Sequence, residues 1–335
     1  MKALATGSHG FLGGALVERL LVHGFERPRC LVRPGSDKRR LDDLAARYPD
    51  QPLEIVRGHL GTPDACRALL DEVDVVFHLA AGLSGSAADM WLSSVVASKN
   101  LLEALVDRPQ VKVVLVSSFG VYGVAGIAKN AVVDETTPVE PLPEKRDICS
   151  HSKLRQEQLF IEHQRRHQNP ITILRPGVIY GPGGGAMSGR VGLSLPGVFL
   201  YLGNDNLLPL SYVDNCAEAL VVAAESDRSW GEIYNVHDDE LVTAREYLAA
   251  YEREVKHLRK LPVPYPLLLL GSHIVERYHR YSKGQLPAIF TPYKTRALWK
   301  SQRFDNRKLH GLGWSPIVST EEGMRRTFAH LRAQG

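Results

Sequence analysis

The sequence has few cysteines, and none lies close to another. Only four of its 335 residues are cysteine, without any CxxC spacing: Cys30, Cys66, Cys149 and Cys216. This spacing excludes a zinc site built on cysteine pairs and gives no sign of a disulfide framework. We therefore predict reduced thiols, no metal site and a cytoplasmic protein.

Long apolar runs and clustered charge are also missing. No run reaches the roughly 18 residues of a membrane-spanning helix, and a first strand beginning at Lys2 leaves no space for a signal peptide. The net charge is only +4, and its basic residues are spread along the chain, unlike the basic face of a nucleic-acid-binding protein. With 44% hydrophobic residues the chain can fill a substantial core. We expect a soluble globular protein that binds a small molecule, with no transmembrane segment and no nucleic-acid partner.

What the first half contains is a regular alternation of short apolar runs and helical patterns. Near-continuous apolar strands joined by helical crossovers are typical of a parallel sheet covered on both faces. The sequence therefore predicts an α/β fold with a doubly wound parallel sheet of the Rossmann type. We place a dinucleotide-binding domain at 1–181, with the sheet rejoined around 212–237, and a smaller interleaved substrate lobe at 182–211 and 238–335. The predicted strands are KALATG, RCLVR, LEIVRG, DVVFHLAA, VKVVLVSS, ITILRPGVIYG and GEIYNV.

The strongest local signal is the glycine-rich turn ATGSHGFLGG at residues 5–14. Gly7, Gly10 and Gly13 follow a strand and open a helix, which lets the backbone turn tightly, approach a pyrophosphate and pack close to the sheet. This context predicts a dinucleotide site. The predicted cofactor contacts in this turn are Gly7, Ser8, His9, Gly10, Phe11, Leu12 and Gly13.

The end of the second strand bears on the choice of cofactor. An acidic residue there would hold the adenosine ribose, whereas this chain has Arg33, followed by Lys38 and Arg39. A guanidinium suits a 2′-phosphate. We predict NADP, with NAD as the alternative cofactor and a solvated basic loop as the other interpretation of these residues.

Several further segments resemble one enzyme family. TGSHGFLG resembles its TGxxGxxG loop, FHLAA at 77–81 its strand end beside the cofactor, and RPGVIYGPG at 175–183 the loop that meets the nicotinamide. By these motifs the chain is identified as a member of the extended short-chain dehydrogenase/reductase family, also called the NAD-dependent epimerase/dehydratase family. It is most similar to the branch of 3-beta-hydroxysteroid dehydrogenases and dihydroflavonol reductases. The resemblance implies further cofactor contacts from His59, Leu60, Leu79, Ala80, Ala81, Lys153, Pro176 and Val178.

The resemblance also implies a catalytic serine, tyrosine and lysine, and the chain departs from it at the tyrosine. VSSFGVYG at 116–123 puts Ser118 at the serine, and Lys153 matches the lysine of the YxxxK helix, so that Cys149 stands where the tyrosine belongs. None of the twelve tyrosines has a lysine four residues later. Smaller departures are His59 for an adenine-contacting aspartate and Ser94 for an asparagine.

Three interpretations of Cys149 are open. In the first, the protein is an oxidoreductase, and Ser118, a water, Tyr122 or His151 delivers the proton. In the second, it is a dinucleotide-binding protein that has lost redox turnover. In the third, Cys149 is a nucleophile or redox-sensitive thiolate, because a helix N-terminus and a nearby ammonium depress a thiol pKa. A half-buried cysteine that fills the space of a missing ring is the structural alternative.

The predicted second lobe bears on the substrate. Residues 186–210 and 261–275 are mainly Leu, Val, Pro and Gly, which favours an apolar or acyl carbonyl compound, with Arg190 available for one acidic group. The stretch 261–281 fits an apolar helix that closes the pocket better than one that touches a membrane surface. We thus predict an NAD(P)-dependent oxidoreductase; the runner-up is a nucleotide-sugar epimerase or dehydratase. The resemblance further implies a homodimer paired through the helices at 88–108 and 150–167.

Overall fold

A seven-stranded parallel sheet forms the centre of the molecule. The computed structural model describes residues 1–82, 85–185, 187–282 and 290–334. The strands are β1 (Ala3–Thr6), β2 (Arg29–Val32), β3 (Glu54–Arg57), β4 (Val75–His78), β5 (Lys112–Val116), β6 (Val132–Val133), β7 (Ile171–Pro176), β8 (Val178–Tyr180), β9 (Gly192–Leu195), β10 (Val198–Tyr201), β11 (Leu210–Tyr212), β12 (Ile233–Val236), β13 (Lys260–Pro262) and β14 (Arg303–Phe304).

The order of strands in the main sheet is β12-β7-β5-β4-β1-β2-β3, and every neighbouring pair is parallel. Strands β1, β4 and β7 are buried at every residue, because helices cover both faces of the sheet. The predicted doubly wound α/β fold is confirmed, and each of the seven predicted strand segments contributes a strand to this sheet.

Helices connect the strands and cover the sheet. They are α1 (Phe11–Val22), α2 (Arg39–Arg47), α3 (Pro63–Leu69), α4 (Ala87–Trp91), α5 (Ala97–Leu105), α6 (Ile148–His167), α7 (Val213–Glu225), α8 (Ala244–Glu254), α9 (Tyr265–Tyr281), α10 (Pro292–Trp299), α11 (Arg307–His310) and α12 (Thr320–Gln334). Helix α2 buries only Leu41 and Leu44 within a strongly charged stretch.

Two predicted segments are divided in the structure. The helical pattern at 88–108 forms α4 and α5 with one π-helical stretch, Leu92–Val96, between them. The run ITILRPGVIYG divides at Gly177: β7 stays in the main sheet, whereas β8 pairs with β11. A Cβ at Gly177 would lie 2.0 Å from the carbonyl oxygen of Pro209, so the two backbones approach too closely for any side chain.

The region after β8 adds a smaller sheet and returns to the main one at β12. Strands β9 and β10 form an antiparallel hairpin, and β13 pairs parallel with β10. The side chain of Asn215 on α7 ties in the C-terminal segment: its Oδ1 accepts hydrogen bonds from the backbone N–H groups of Ile317 and Val318, both at 2.9 Å. The division into two lobes at the predicted boundaries stays a prediction.

No helix in the described part of the chain is long and apolar enough to cross a membrane.

Candidate active site

A deep cavity opens at the carboxyl ends of β1, β4 and β5. Its volume is about 740 Å³. Open α/β sheets bind ligands at this edge, where the strand order reverses direction. Every described residue that lines it lies between positions 7 and 179, so the predicted substrate lobe contributes none of them. The lining consists of Gly7, His9, Gly10, Phe11, Leu12, Leu31, Arg33, His59, Leu60, Gly61, Leu79, Ala80, Ala81, Leu92, Ser93, Val96, Ala97, Val116, Ser117, Ser118, Cys149, Ser150, Lys153, Pro176, Gly177 and Ile179.

The glycine turn has the geometry of a phosphate cradle. Gly7 has a φ of +73°, and a Cβ there would lie 3.1 Å from the backbone nitrogen of Ala80. Gly10 is the N-cap of α1 and, lacking a side chain, provides no cap, so the first N–H groups of the helix remain available to an anion. His9 adds a buried Nδ1 without a hydrogen-bond partner among the described residues. These features fit a bound pyrophosphate.

Three of the predicted cofactor contacts do not line the cavity. Ser8 is buried, and its hydroxyl donates to the carbonyl of Leu31 at 2.9 Å. Gly13 packs beneath the turn, since a Cβ there would lie 2.1 Å from the carbonyl oxygen of Gly7. Val178 lies at a smaller cavity of about 120 Å³, while its neighbours Gly177 and Ile179 line the large one. All the other predicted cofactor and catalytic residues lie on the cavity wall.

The charges around the cavity are positive. Arg33 lines it, and the structure shows no ion pair for this side chain within the described ranges, whereas Lys38 pairs with Asp42 and Arg39 with Asp37. Burial, and then the charge of Arg33, lower the pKa of His9, which keeps that ring neutral. Among the described lining residues there is no Asp or Glu. The carboxylate that would hold an unmodified adenosine ribose is therefore missing from the wall.

Lys153 is held beneath the cavity with one N–H to spare. It is 8% exposed, and its Nζ donates to the carbonyl of Val116 at 2.7 Å and to Oε1 of Gln156 at 2.9 Å. An ammonium group has three donors, and the described residues accept only two of them. Burial lowers the pKa of Lys153 to about 8, although the Glu157 carboxylate opposes this shift. At neutral pH the group is a cation, and its residue lines the cavity.

Ser118 presents a hydroxyl to the same space. It caps a short 3-10 turn, where its Oγ accepts a hydrogen bond from the backbone N–H of Gly120 at 3.0 Å. That bond occupies a lone pair and leaves the hydroxyl proton free to donate. Ser150 also lines the cavity, but its hydroxyl donates to Asp147 at 2.8 Å. Ser118 is therefore the better placed of the two to donate to a carbonyl oxygen.

Cys149 lies on the first turn of α6 at the cavity wall. Its thiol is half-buried, and Sγ lies 3.5 Å from Sδ of Met90. Burial, and then the Asp147 carboxylate, raise the pKa of the thiol, and Lys153 opposes this only partly. The expected depression of this pKa is wrong, because desolvation outweighs the ammonium. At neutral pH the residue is a thiol, which removes the premise of a reactive thiolate.

The other proposed proton donors are directed elsewhere. The hydroxyl of Tyr122 donates to Asn235 at 2.6 Å, and burial raises its pKa to about 12. His151 packs edge-on against Trp91 and does not line the cavity. Of the protein groups considered, Ser118 and Lys153 remain as sources of a proton.

Buried polar side chains behind the cavity residues support the wall. Gln156 is fully buried; its Oε1 accepts from Lys153 and its Nε2 donates to Ser98 at 2.7 Å. Glu157 accepts hydrogen bonds from Ser117 and Arg175. The available signal is their position one helical turn after Lys153 and two turns after Cys149, on the side of α6 that packs against the sheet.

His78 is a structural residue of this region. Its two ring nitrogens lie 2.9 Å from the hydroxyls of Thr6 and Ser98. Complete burial lowers its pKa to about 3, so the ring is neutral. In the described part of the chain no group of His, Cys, Asp and Glu residues is arranged to hold a metal ion.

Comparison with known proteins relates the chain to one family. The family described as "NAD dependent epimerase/dehydratase family" matches residues 3–236. The 2-alkyl-3-oxoalkanoate reductase of Shewanella oneidensis is 28% identical, over 98% of this chain and 86% of that protein. The sterol-4-alpha-carboxylate 3-dehydrogenase, decarboxylating, of Homo sapiens is 24% identical, over 99% of this chain and 89% of that protein.

Solved structures share the fold. The crystal structure of gox2253 superposes with a TM-score of 0.81 at 24% identity and covers 99% of this chain and 98% of its own. The UDP-glucuronic acid 4-epimerase from Bacillus cereus in complex with NAD has a TM-score of 0.73 at 21% identity, and the match covers 99% of this chain and 97% of that chain. At these identities the similarity concerns the fold alone.

Proposed function

Because the chain belongs to the NAD-dependent epimerase/dehydratase family, as its motifs predicted, we propose that it is a nicotinamide-dependent oxidoreductase acting on a carbonyl or hydroxyl group of an apolar or acyl small molecule. The observation that carries the proposal is that the glycine turn, Ser118 and Lys153 line the same cavity. A dinucleotide at the turn would extend from the end of β1 toward these two side chains.

NADP is the proposed cofactor. Arg33, which has no ion-pair partner in the described ranges, and the absence of a carboxylate among the described lining residues favour a 2′-phosphate over a free ribose diol. The N–H groups at the start of α1 and the ring of His9 would hold the pyrophosphate, and Lys153 would bind the nicotinamide ribose. When bound, this cofactor supplies or accepts the hydride.

The proton must come from the protein or from a water. In our proposal Ser118 donates a hydrogen bond to the substrate oxygen. Lys153 supplies the proton by way of the ribose hydroxyl that it binds and a water in the space that a tyrosine ring would otherwise fill. Cys149 is too short to reach that oxygen, by about 4 Å of ordinary bond lengths, and its thiol remains protonated. A general acid is worth about 10²- to 10⁴-fold, so an indirect relay predicts slow turnover.

The proposed substrates are ketones with an apolar body, including 3-oxo acids and steroid ketones. The names of the two relatives described above support both classes, and the cavity wall carries apolar groups such as Leu92, Val96 and Ile179. The alternative, a nucleotide-sugar epimerase or dehydratase, is supported by the description of the matching family. The third possibility, binding without turnover, follows from the missing tyrosine.

One set of assays separates these functions. NADPH and NADH oxidation is measured with a panel of 2-alkyl-3-oxo acids and steroid ketones, and thermal shifts are measured with UDP- and TDP-sugars. Oxidation of NADPH with a ketone supports the proposal. Stabilisation by a nucleotide sugar without ketone turnover favours the epimerase alternative, and cofactor binding with neither response favours a protein without turnover.

We also propose a homodimer that pairs through α4, α5 and α6. Val106, at the C-terminal end of α5, is a large apolar side chain that is 39% exposed and does not line the cavity. Sedimentation analysis of the wild type and of Val106→Glu, an exposed residue at the end of α5, tests this pairing. A monomeric wild type would contradict it.

A further inference from the structure

The helix α9 exposes an unusual amount of apolar surface. Of its 17 residues only Ser272 is buried, and one side of the helix packs against α10. Five large side chains on the helix are largely exposed, at 59%, 60%, 63%, 54% and 84% respectively: Leu267, Leu270, Ile274, Tyr278 and Tyr281. Leaving so many large apolar groups in water is unfavourable, which suggests that another surface covers them.

These five residues, here called the α9 stripe, form one continuous face. Their spacings of three and four residues place them on the same side of an α-helix. The stripe does not serve the cavity, because no residue of α9 is among the described residues that line it. The expectation that this helix closes the pocket is therefore wrong, and its apolar face needs a different partner.

The charge of the chain segment that contains the stripe favours an anionic partner. Residues 255–282 contain five Lys and Arg and one Asp or Glu. The whole chain has 41 Lys and Arg and 37 Asp and Glu, so the residues outside this segment contain 36 of each sign. The entire net charge of +4 therefore comes from this segment. Lys256, Arg259 and Arg277 are exposed, and the structure shows no carboxylate partner for them among the described residues.

We propose that α9 is a docking helix for the surface of an anionic lipid bilayer. A helix with an apolar face and flanking cations lies in the interface, with the apolar face among the acyl chains and the cations at the headgroups. Tyr278 and Tyr281 suit this depth, because their rings are apolar and their hydroxyls polar. A second copy of the chain is the less suitable occupant, since a symmetric contact would bring the same cations face to face. Membrane docking through α9 is independent of the reaction proposed for the cavity.

Vesicle flotation of the intact protein tests the proposal. We expect association with phosphatidylcholine vesicles in which about one third of the lipid is phosphatidylglycerol, weaker association with phosphatidylcholine alone, and partial release by high salt. Leu270→Glu with Ile274→Glu should lower the partition coefficient by about 100-fold or more, since each buried aliphatic side chain contributes at least about tenfold. The matched control, Val22→Glu with Ile317→Glu, changes two exposed apolar residues outside the stripe and should bind as the wild type does.

A second pair of variants tests the charge. Lys256→Gln with Arg277→Gln should weaken binding to anionic vesicles by about 10-fold or more and leave binding to neutral vesicles unchanged. Arg165→Gln with Arg166→Gln, two exposed cations at the end of α6, is the control and should have little effect.

A labelling experiment keeps the proposal testable if the glutamate variant folds poorly. An environment-sensitive dye on Ile274→Cys should shift to the blue with anionic vesicles, and the same dye on Ile317→Cys should not. Three results would each overturn the proposal: no association with anionic vesicles, association that survives both substitutions in the stripe, or an oligomer of the wild type that Leu270→Glu with Ile274→Glu dissociates.

Discussion

Replacing Cys149 with tyrosine tests whether the active site lacks only a proton donor. Cys149 lies on the first turn of α6, and Lys153 follows it by one helical turn. A phenol oxygen extends about 4 Å further than the present sulfur, into the cavity beside Ser118. In Cys149→Tyr the ammonium of Lys153 should lower the pKa of the new phenol.

The size of the effect follows from these positions. A positioned acid contributes about 10²- to 10⁴-fold, or about 3 to 5 kcal/mol, and the wild type obtains only the part that a water can relay. We therefore expect NADPH oxidation with the best ketone of the panel to rise at least about 100-fold. The new ring must replace the contact between Cys149 and Met90. We expect this to lower the free energy of unfolding by about 1 kcal/mol, at the low end of the penalties for overpacking, because the cavity has space for the ring.

The control is Cys149→Phe, which adds the same ring without a hydroxyl. It should bind the cofactor as Cys149→Tyr does and gain no turnover. Steady-state kinetics of the three proteins, with calorimetric titration of NADPH, provide both measurements. If Cys149→Tyr binds cofactor normally but is no faster than Cys149→Phe, the missing hydroxyl is not the limitation. A wild type with ordinary reductase rates that Cys149→Ser leaves unchanged would show that the cysteine is a bystander.

Three further substitutions test separate parts of the site. Arg33→Ala should weaken the binding of NADPH, measured by calorimetry, about 10- to 100-fold and that of NADH much less. Arg39→Ala should change neither affinity, because the Arg39 side chain pairs with Asp37. Because burial lowers the pKa of Lys153 to about 8, the rate of ketone reduction should decline as the pH rises through that value and the ammonium is lost. A rate that stays flat across this range contradicts the role of Lys153 as proton source. Lys153→Ala should also weaken cofactor binding. Glu157→Gln leaves the buried Arg175 without its carboxylate partner and should lower the free energy of unfolding, measured by denaturant titration, by about 3 to 5 kcal/mol. Its control, Arg155→Gln, breaks an exposed ion pair and should lower that free energy by only about 0 to 1 kcal/mol.

The local pattern of the sequence is sufficient for the sheet and for the glycine turn. Parallel strands buried on both faces must be apolar along their length, and a backbone that approaches a phosphate needs glycine, so both features are visible in the residues themselves. The same holds for Cys149, because the lysine four residues later is enough to identify it as a departure from the family pattern.

Other features depend on contacts between distant residues. The division of the strand at Gly177 arises from the close approach of the Pro209 backbone, and nothing in the sequence near either residue indicates this contact. The predicted shift in the pKa of Cys149 has the wrong sign, because the nearby ammonium is visible in the sequence but the desolvation that outweighs it is not.

By itself, the sequence determined the order of chemical groups along the chain: a glycine turn, a serine, a cysteine in place of tyrosine, and a lysine. Only the tertiary structure decided which side chains reach the ligand. It brought Arg33 to the cavity and left Lys38 and Arg39 in ion pairs, and it buried Tyr122 against Asn235. It also left the α9 stripe outside the pocket. The physical reason is that burial and pairing are properties of packing, which short-range spacing along a chain does not specify.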